Sequence, residues 1–136
     1  MPADASITAV QEELLEISSR MLQAIHSGDT ETYRSLCAPD LSCFETDIAP
    51  YRIDGVDFHL SLIQEMHDRN MYDKLVRFDM LTPLVQVYGE TAIITYTRLM
   101  TYRTETTPIF RSFNETRVFV RSAEGWKMVH FHRSDA

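Results

Sequence analysis

The hydrophobic period of this chain changes once, near Tyr72, and that change constrains the fold more than any other feature. Before it, Ile7, Val10, Leu14, Ile17, Met21, Ala24 and Ile25 recur at three- and four-residue steps, which places them along one face of a helix. After it, segments rich in Thr, Val, Ile, Tyr and Phe alternate with period two, the pattern of half-buried strands. Helices first and strands afterwards imply an α+β domain, with the long helix lying on one face of a mainly antiparallel sheet.

The first helix should run from Ile7 to His26, about 30 Å at about 1.5 Å per residue. Thr8 with Gln11 resembles a capping box, and Gly28 suits the left-handed stop. The same spacing would also fit a short coiled-coil seam. Asp29 can cap a second short helix through Tyr33 and Leu36, ended by Pro39 and Asp40. Leu41 to Glu45 reads as a short strand. A third helix covers Gly55 to about Asn70, with Phe58, Leu62 and Met66 at four-residue steps. The later strands are Lys74–Leu81, Val85–Tyr88, Thr91–Arg103, Ile109–Arg121 and Trp126–Arg133. Gly89-Glu90 and Glu124-Gly125 supply tight turns.

At 136 residues the chain fits one domain spanning 1–136, with residues 1–6 expected to be disordered. A chain of this length buries roughly two-thirds of its unfolded surface and needs no disulfide or metal staple. Its formal charge of −7, without a basic run, makes it a poor binder of nucleic acid. No apolar run approaches the ~20 residues of a membrane span, and MPADAS lacks the regions of a signal peptide. A soluble, cytoplasmic protein is the expectation. Cys37 and Cys43 form no C-x-x-C pair and sit among apolar residues, which suits buried free thiols in a reducing compartment.

Three arginines interrupt apolar strand faces. Arg98 shares a face with Ile94, Tyr96, Met100 and Tyr102; Arg117 with Phe113, Glu115 and Phe119; Arg133 with Val129 and Phe131. A buried unpaired guanidinium costs several kcal/mol. Each arginine must therefore reach solvent, pair internally with Glu115, Glu45 or Asp57, or line a cavity that takes an anion. Planar guanidinium forks suit carboxylates. His130 and His132 fall on the opposite face and lack a third partner for a metal, so no metal and no cofactor is assigned. His59, at the start of the third helix, could be a surface residue, a switch or a pocket wall.

Several motifs resemble the association (hub) domain of calcium/calmodulin-dependent protein kinase II. They are Ala24–Asp29 followed by Tyr33, Cys37, Pro39, Leu41 and Phe44-Glu45; Gly55-Val56-Asp57-Phe58-His59; Tyr96 with Arg98-Leu99 and Tyr102; Glu115-Thr116-Arg117-Val118; Gly125-Trp126-Lys127; and Val129-His130-Phe131-His132-Arg133-Ser134. The resemblance runs from about Val10 to Ser134. It implies a cone-shaped fold of the nuclear transport factor 2-like superfamily, a hub that pairs into dimers and stacks dimers into rings, and an arginine-lined cavity that takes a small carboxylate. Carried over position by position, the ligand-binding residues are Arg98, Arg117, Arg133 and His59. Tyr33, Glu45, Tyr96 and Glu115 are further candidates for the wall.

The chain departs from that family at the loop Arg103–Pro108 and at Thr46–Arg52, where the family closes its pocket. It has no Gly-rich loop with a strand Lys, no His-Arg-Asp and no Asp-Phe-Gly, and no basic amphipathic helix for calmodulin. Kinase chemistry and calmodulin binding therefore do not carry over, and no catalytic residue is assigned. The alternative is a small enzyme of isomerase, dehydratase or cyclase type working in the same cavity. His59, Glu45 or Asp57 would be its base, and Tyr33 or Tyr96 its oxyanion donor.

Overall fold

The computed structural model describes residues 5–136, with side chains from Thr8 onward. The expectation of disorder over residues 1–6 falls on the chain end, of which residues 1–4 lie outside the described residues. Among the described residues three helices, α1 (Ala5–Ser27), α2 (Thr30–Ser35) and α3 (Asp57–Asp68), accompany six strands: β1 (Cys37–Glu45), β2 (Ile53–Asp54), β3 (Leu75–Tyr88), β4 (Thr91–Tyr102), β5 (Ile109–Ser122) and β6 (Gly125–Asp135). The fold is α+β, as the change of period implied. The sheet order is β2-β1-β6-β5-β4-β3. β3 to β6 form an antiparallel meander, and β1 joins its end by pairing parallel to β6.

The apolar stripe of α1 packs on the sheet rather than forming a coiled-coil seam. Leu14, Ile17, Met21, Leu22 and Ala24 are buried in one core with Ile94, Phe119, Trp126, Met128 and Phe131. Gln11 lies inside the helix and ties it to the sheet, its Nε2 donating to Val85 O at 3.1 Å. Thr8 also lies within the helix, so the expected capping box is not one. Asp29 caps α2 as expected, accepting from Thr32 N at 3.1 Å. Among the described residues no helix is long and apolar enough to cross a membrane.

Two strand boundaries and one helix face differ from the sequence expectation. Pro39 and Asp40 lie within β1, which begins at Cys37; the ladder to β6 is irregular between Cys37 and Ser42, so the proline sits where no regular ladder bond is required. The segments Lys74–Leu81 and Val85–Tyr88 are one strand, β3, interrupted by a bulge between Leu81 and Leu84. Thr82 takes a left-handed φ of 46° there. The bulge shifts the inward parity, from Phe78 and Met80 before it to Val85 and Val87 after it. In α3, His59, Leu60 and Ile63 are buried, whereas Phe58 is exposed.

Candidate functional site

Strand alternation carries two of the arginines inward. On β4 every second residue from Ala92 to Met100 is buried, and Arg98 is 1% exposed. On β5 the buried row is Phe113, Glu115, Arg117 and Phe119, with Arg117 2% exposed. On β6 a bulge opposite Val118 and Phe119 breaks the row that sequence alternation implied. Trp126 and Met128 occupy the inner face before it, Phe131 and Arg133 after it, and Val129 does not belong to that row.

The inner face carries an ion network. Glu115 pairs with Arg98 through Oε2 at 3.1 Å and with Arg117 through Oε1 at 3.3 Å. Tyr96 donates its hydroxyl to Glu115 Oε1 at 2.6 Å and accepts from Arg117 Nε at 2.7 Å. Arg117 Nη1 reaches Met128 Sδ at 3.1 Å. Burial alone would raise the Glu115 pKa, but Arg117 and Arg98 outweigh it and hold the carboxyl below its ordinary range. Burial raises the Tyr96 hydroxyl well above its usual value, so it stays protonated and able to donate.

A second cluster closes the other end. Arg133 Nη2 lies 2.7 Å from Glu45 Oε2 and 3.0 Å from Asp47 Oδ2. His59 Nδ1 stands 3.2 Å from Glu45 Oε1. Against the cost of burial, contact with His59 and the charge of Arg133 hold the Glu45 carboxyl low. Cys43 Sγ is 3.3 Å from His59 Nε2 and 3.6 Å from Glu45 Oε1. Burial, then the charge of Glu45, push its thiol up to about 12. Cys37 is raised to about 12 by its own burial, and both thiols are free and buried.

The arginines divide between two adjoining spaces. An inner cavity of about 30 Å³ is lined by Tyr33, Glu45, His59, Glu115, Arg117 and Arg133, among others. An outer chamber of about 300 Å³ is bordered by Arg98, Arg133, Arg111, Phe113, Tyr102 and Asp47, among others. Arg133 belongs to both. The Phe113 ring has three guanidinium groups over it: Arg98 at 5.3 Å, Arg111 at 4.9 Å and Arg133 at 4.9 Å. Arg98 Nε and Nη1 are buried with no hydrogen-bond partner among the described residues.

Asp57, considered in the sequence as a partner or a base, is exposed on the first turn of α3. Asp47 takes the partner role instead. It lies in the Thr46–Arg52 segment, where no periodicity signals which way a side chain points. Phe113 and Arg111 were also missed as chamber residues, although both lie on β5. Internal pairing and convergence, which stood as alternatives in the sequence, coexist here. With both buried carboxyls held below their ordinary range, neither is a neutral carboxylic acid donor, and the protonated Tyr96 hydroxyl is already given to Glu115.

The calcium/calmodulin dependent protein kinase II association domain model matches residues 10–136. The delta subunit of calcium/calmodulin-dependent protein kinase type II from Oryctolagus cuniculus is 32% identical over 133 residues, covering 96% of this chain and 25% of that protein. The chain thus spans about a quarter of the length of such relatives. The CaMKII hub of S. rosetta has a TM-score of 0.79 and 33% identity, and each chain covers 100% of the other. A nuclear transport factor 2-like protein from Cytophaga hutchinsonii shares the fold at 13% identity, TM-score 0.73, with 93% of this chain and 98% of that one covered. With a match of this extent and a shared fold, the chain belongs to the calcium/calmodulin-dependent protein kinase II association domain family.

Proposed function

We propose that this chain is a self-assembling association domain whose outer chamber receives a small carboxylate. The observation that carries the assembly reading is an uncharged band across the outer face of the sheet. Leu84, Thr95, Thr116 and His132 stand in register across four strands, and Gln86, Ile93, Val118 and His130 form the neighbouring row. Neither row contains Asp, Glu, Lys or Arg, and Leu81, Leu84 and Phe44 at the margins are exposed. Two adjacent uncharged rows, on the face opposite the one that packs on α1 and with Asp79 and Lys127 lying beyond them, suit a second copy of the chain. The family relationship supports the same reading: the S. rosetta relative is a CaMKII hub.

The ligand reading is supported by Arg98, which borders the chamber with two unpartnered buried nitrogens, and by Arg133 and Arg111 beside it. A carboxylate between them would make charge-assisted hydrogen bonds and keep apolar contact with Phe113.

Sedimentation of the purified chain at micromolar concentration tests the assembly. A dimer or a multiple of dimers is expected, and Ile93→Lys with Val118→Lys should reduce the mass. A monomeric wild type would overturn it.

A further inference from the structure

Cys43, Glu45 and His59 form a cluster that the carboxylate chamber does not use. Cys43 and Glu45 stand two residues apart on β1 and therefore project to one face, while His59 enters from the first turn of α3. All three are buried. One ligand atom from each lies within 4.8 Å of the other two. The Sγ to Nε2 separation is 3.3 Å, and Sγ to Glu45 Oε1 is 3.6 Å. Ligand atoms that share a tetrahedral zinc ion at bond lengths of about 2.0–2.3 Å stand roughly 3.2–3.7 Å apart.

We propose that Cys43, Glu45 and His59 form a binding site for one zinc-class divalent cation. The donor set selects the metal: a thiolate with an imidazole favours zinc and its neighbours, whereas magnesium and calcium require oxygen ligands. Glu45 and His59 also line the inner cavity, whose volume of about 30 Å³ would hold a water as a fourth ligand. Of the two Glu45 oxygens Arg133 engages Oε2, at 2.7 Å, and Oε1 is left facing Cys43 and His59 Nδ1, at 3.2 Å from the latter, so a small turn of the imidazole or the carboxylate would bring Oε1 and Nε2 onto one ion. On binding, a metal–sulfur bond forms and the thiol proton leaves to solvent, so the site gains one positive charge. Asp47, paired with Arg133 at 3.0 Å, moderates the repulsion from that guanidinium.

This inference stands apart from both assembly and carboxylate binding. Its test is titration of the untagged, chelator-treated full chain with Co²⁺, read by the thiolate-to-cobalt charge-transfer absorption. One equivalent should develop the band in the wild type and in Cys37→Ala, and Zn²⁺ should abolish it. Cys43→Ala and Cys43→Ser should lack the band. Glu45→Gln should need on the order of tenfold more metal or above. Absence of the band in the wild type, or its persistence in a folded Cys43 variant, overturns the site. Should neither Cys43 variant fold, the wild-type titration with protection of Cys43 from thiol labelling by Zn²⁺ decides it, and unchanged labelling counts against it.

Discussion

Glu115 and Arg117, two residues apart on the inner face of β5, form a buried ion pair of 3.3 Å, and Glu115 gives its other oxygen to Arg98 at 3.1 Å. One carboxylate therefore holds two guanidinium groups that are each no more than 2% exposed. Removing it leaves two buried cations without their shared anion. Glu115→Ala should destabilise the fold by about 3–5 kcal/mol, the cost of breaking a buried pair. Replacing the whole group with apolar residues of similar volume, as in Arg98→Met, Glu115→Leu and Arg117→Met together, should cost less than the single change. Urea unfolding of the two proteins measures the difference. A Glu115→Ala variant as stable as wild type would show that the pairs contribute nothing.

Carboxylate binding should depend unequally on the three arginines. Arg117 already bonds Tyr96, Glu115 and Met128. Arg98 retains two unpartnered nitrogens, and Arg133 is shared with Asp47. A charge-assisted bidentate contact is worth about 1.5–3 kcal/mol. Arg98→Ala and Arg133→Ala should each weaken acetate or butyrate binding tenfold or more, and Arg98→Lys should restore it only in part, lacking the planar fork. Asp47→Asn should strengthen binding by releasing Arg133. Calorimetric titration checks this, and equal affinity in all variants would remove the chamber as the site.

Strand parity made much of this network legible in the sequence. On β4 and β5 it runs unbroken, so Arg98, Glu115 and Arg117 could be placed on one face from spacing alone. On β6 the bulge at Val129 shifts parity, and the row Val129-Phe131-Arg133 does not survive it. Asp47 could not be read because it lies in a segment without period, and its pairing with Arg133 spans 86 residues. The parallel pairing of β1 with β6 was equally hidden, since it joins strands far apart in sequence. The family motifs brought His59 toward the arginines, but its contact with Cys43 appears only once α3 is set against β1.

Thr82 holds a φ of 46° at the bulge of β3. A β-branched residue is strained in that region, where asparagine is tolerated. Thr82→Asn should therefore raise stability by about 0.5–1 kcal/mol, with no change in assembly. Thermal unfolding of both proteins is the measurement, and a loss of stability would mean that the threonine side chain makes contacts worth more than the strain.

His26 closes the last turn of α1 between two rings, Tyr72 at 4.8 Å and Phe78 at 5.0 Å between centroids. Neither ring nitrogen has a partner among the described residues. Burial first, and the charge of Arg98 second, lower its pKa from 6.5 to about 4, with Glu115 opposing. The unfolded chain takes up this proton as pH falls through 6.5, whereas the folded chain does so only near 4. Between those values the unfolded state binds more protons, so stability falls as the solution is acidified. The full shift corresponds to roughly 3 kcal/mol. Glu45 and Glu115 act in the same direction at lower pH. Their carboxyls are held below 4.5, and their contribution is lost only as pH drops through the folded values. The two effects separate in His26→Phe, which keeps an aromatic ring between Tyr72 and Phe78 and carries no proton. Its stability should decline less steeply than that of the wild type from pH 6.5 to 5, where burial and then the charge of His132 hold the His130 pKa low and leave a residual slope of the same sign, and should then fall in acid as the carboxyls protonate. Chemical denaturation at half-unit pH steps gives both curves. Parallel slopes for the two proteins over pH 6.5 to 5 would exclude His26 as the group responsible.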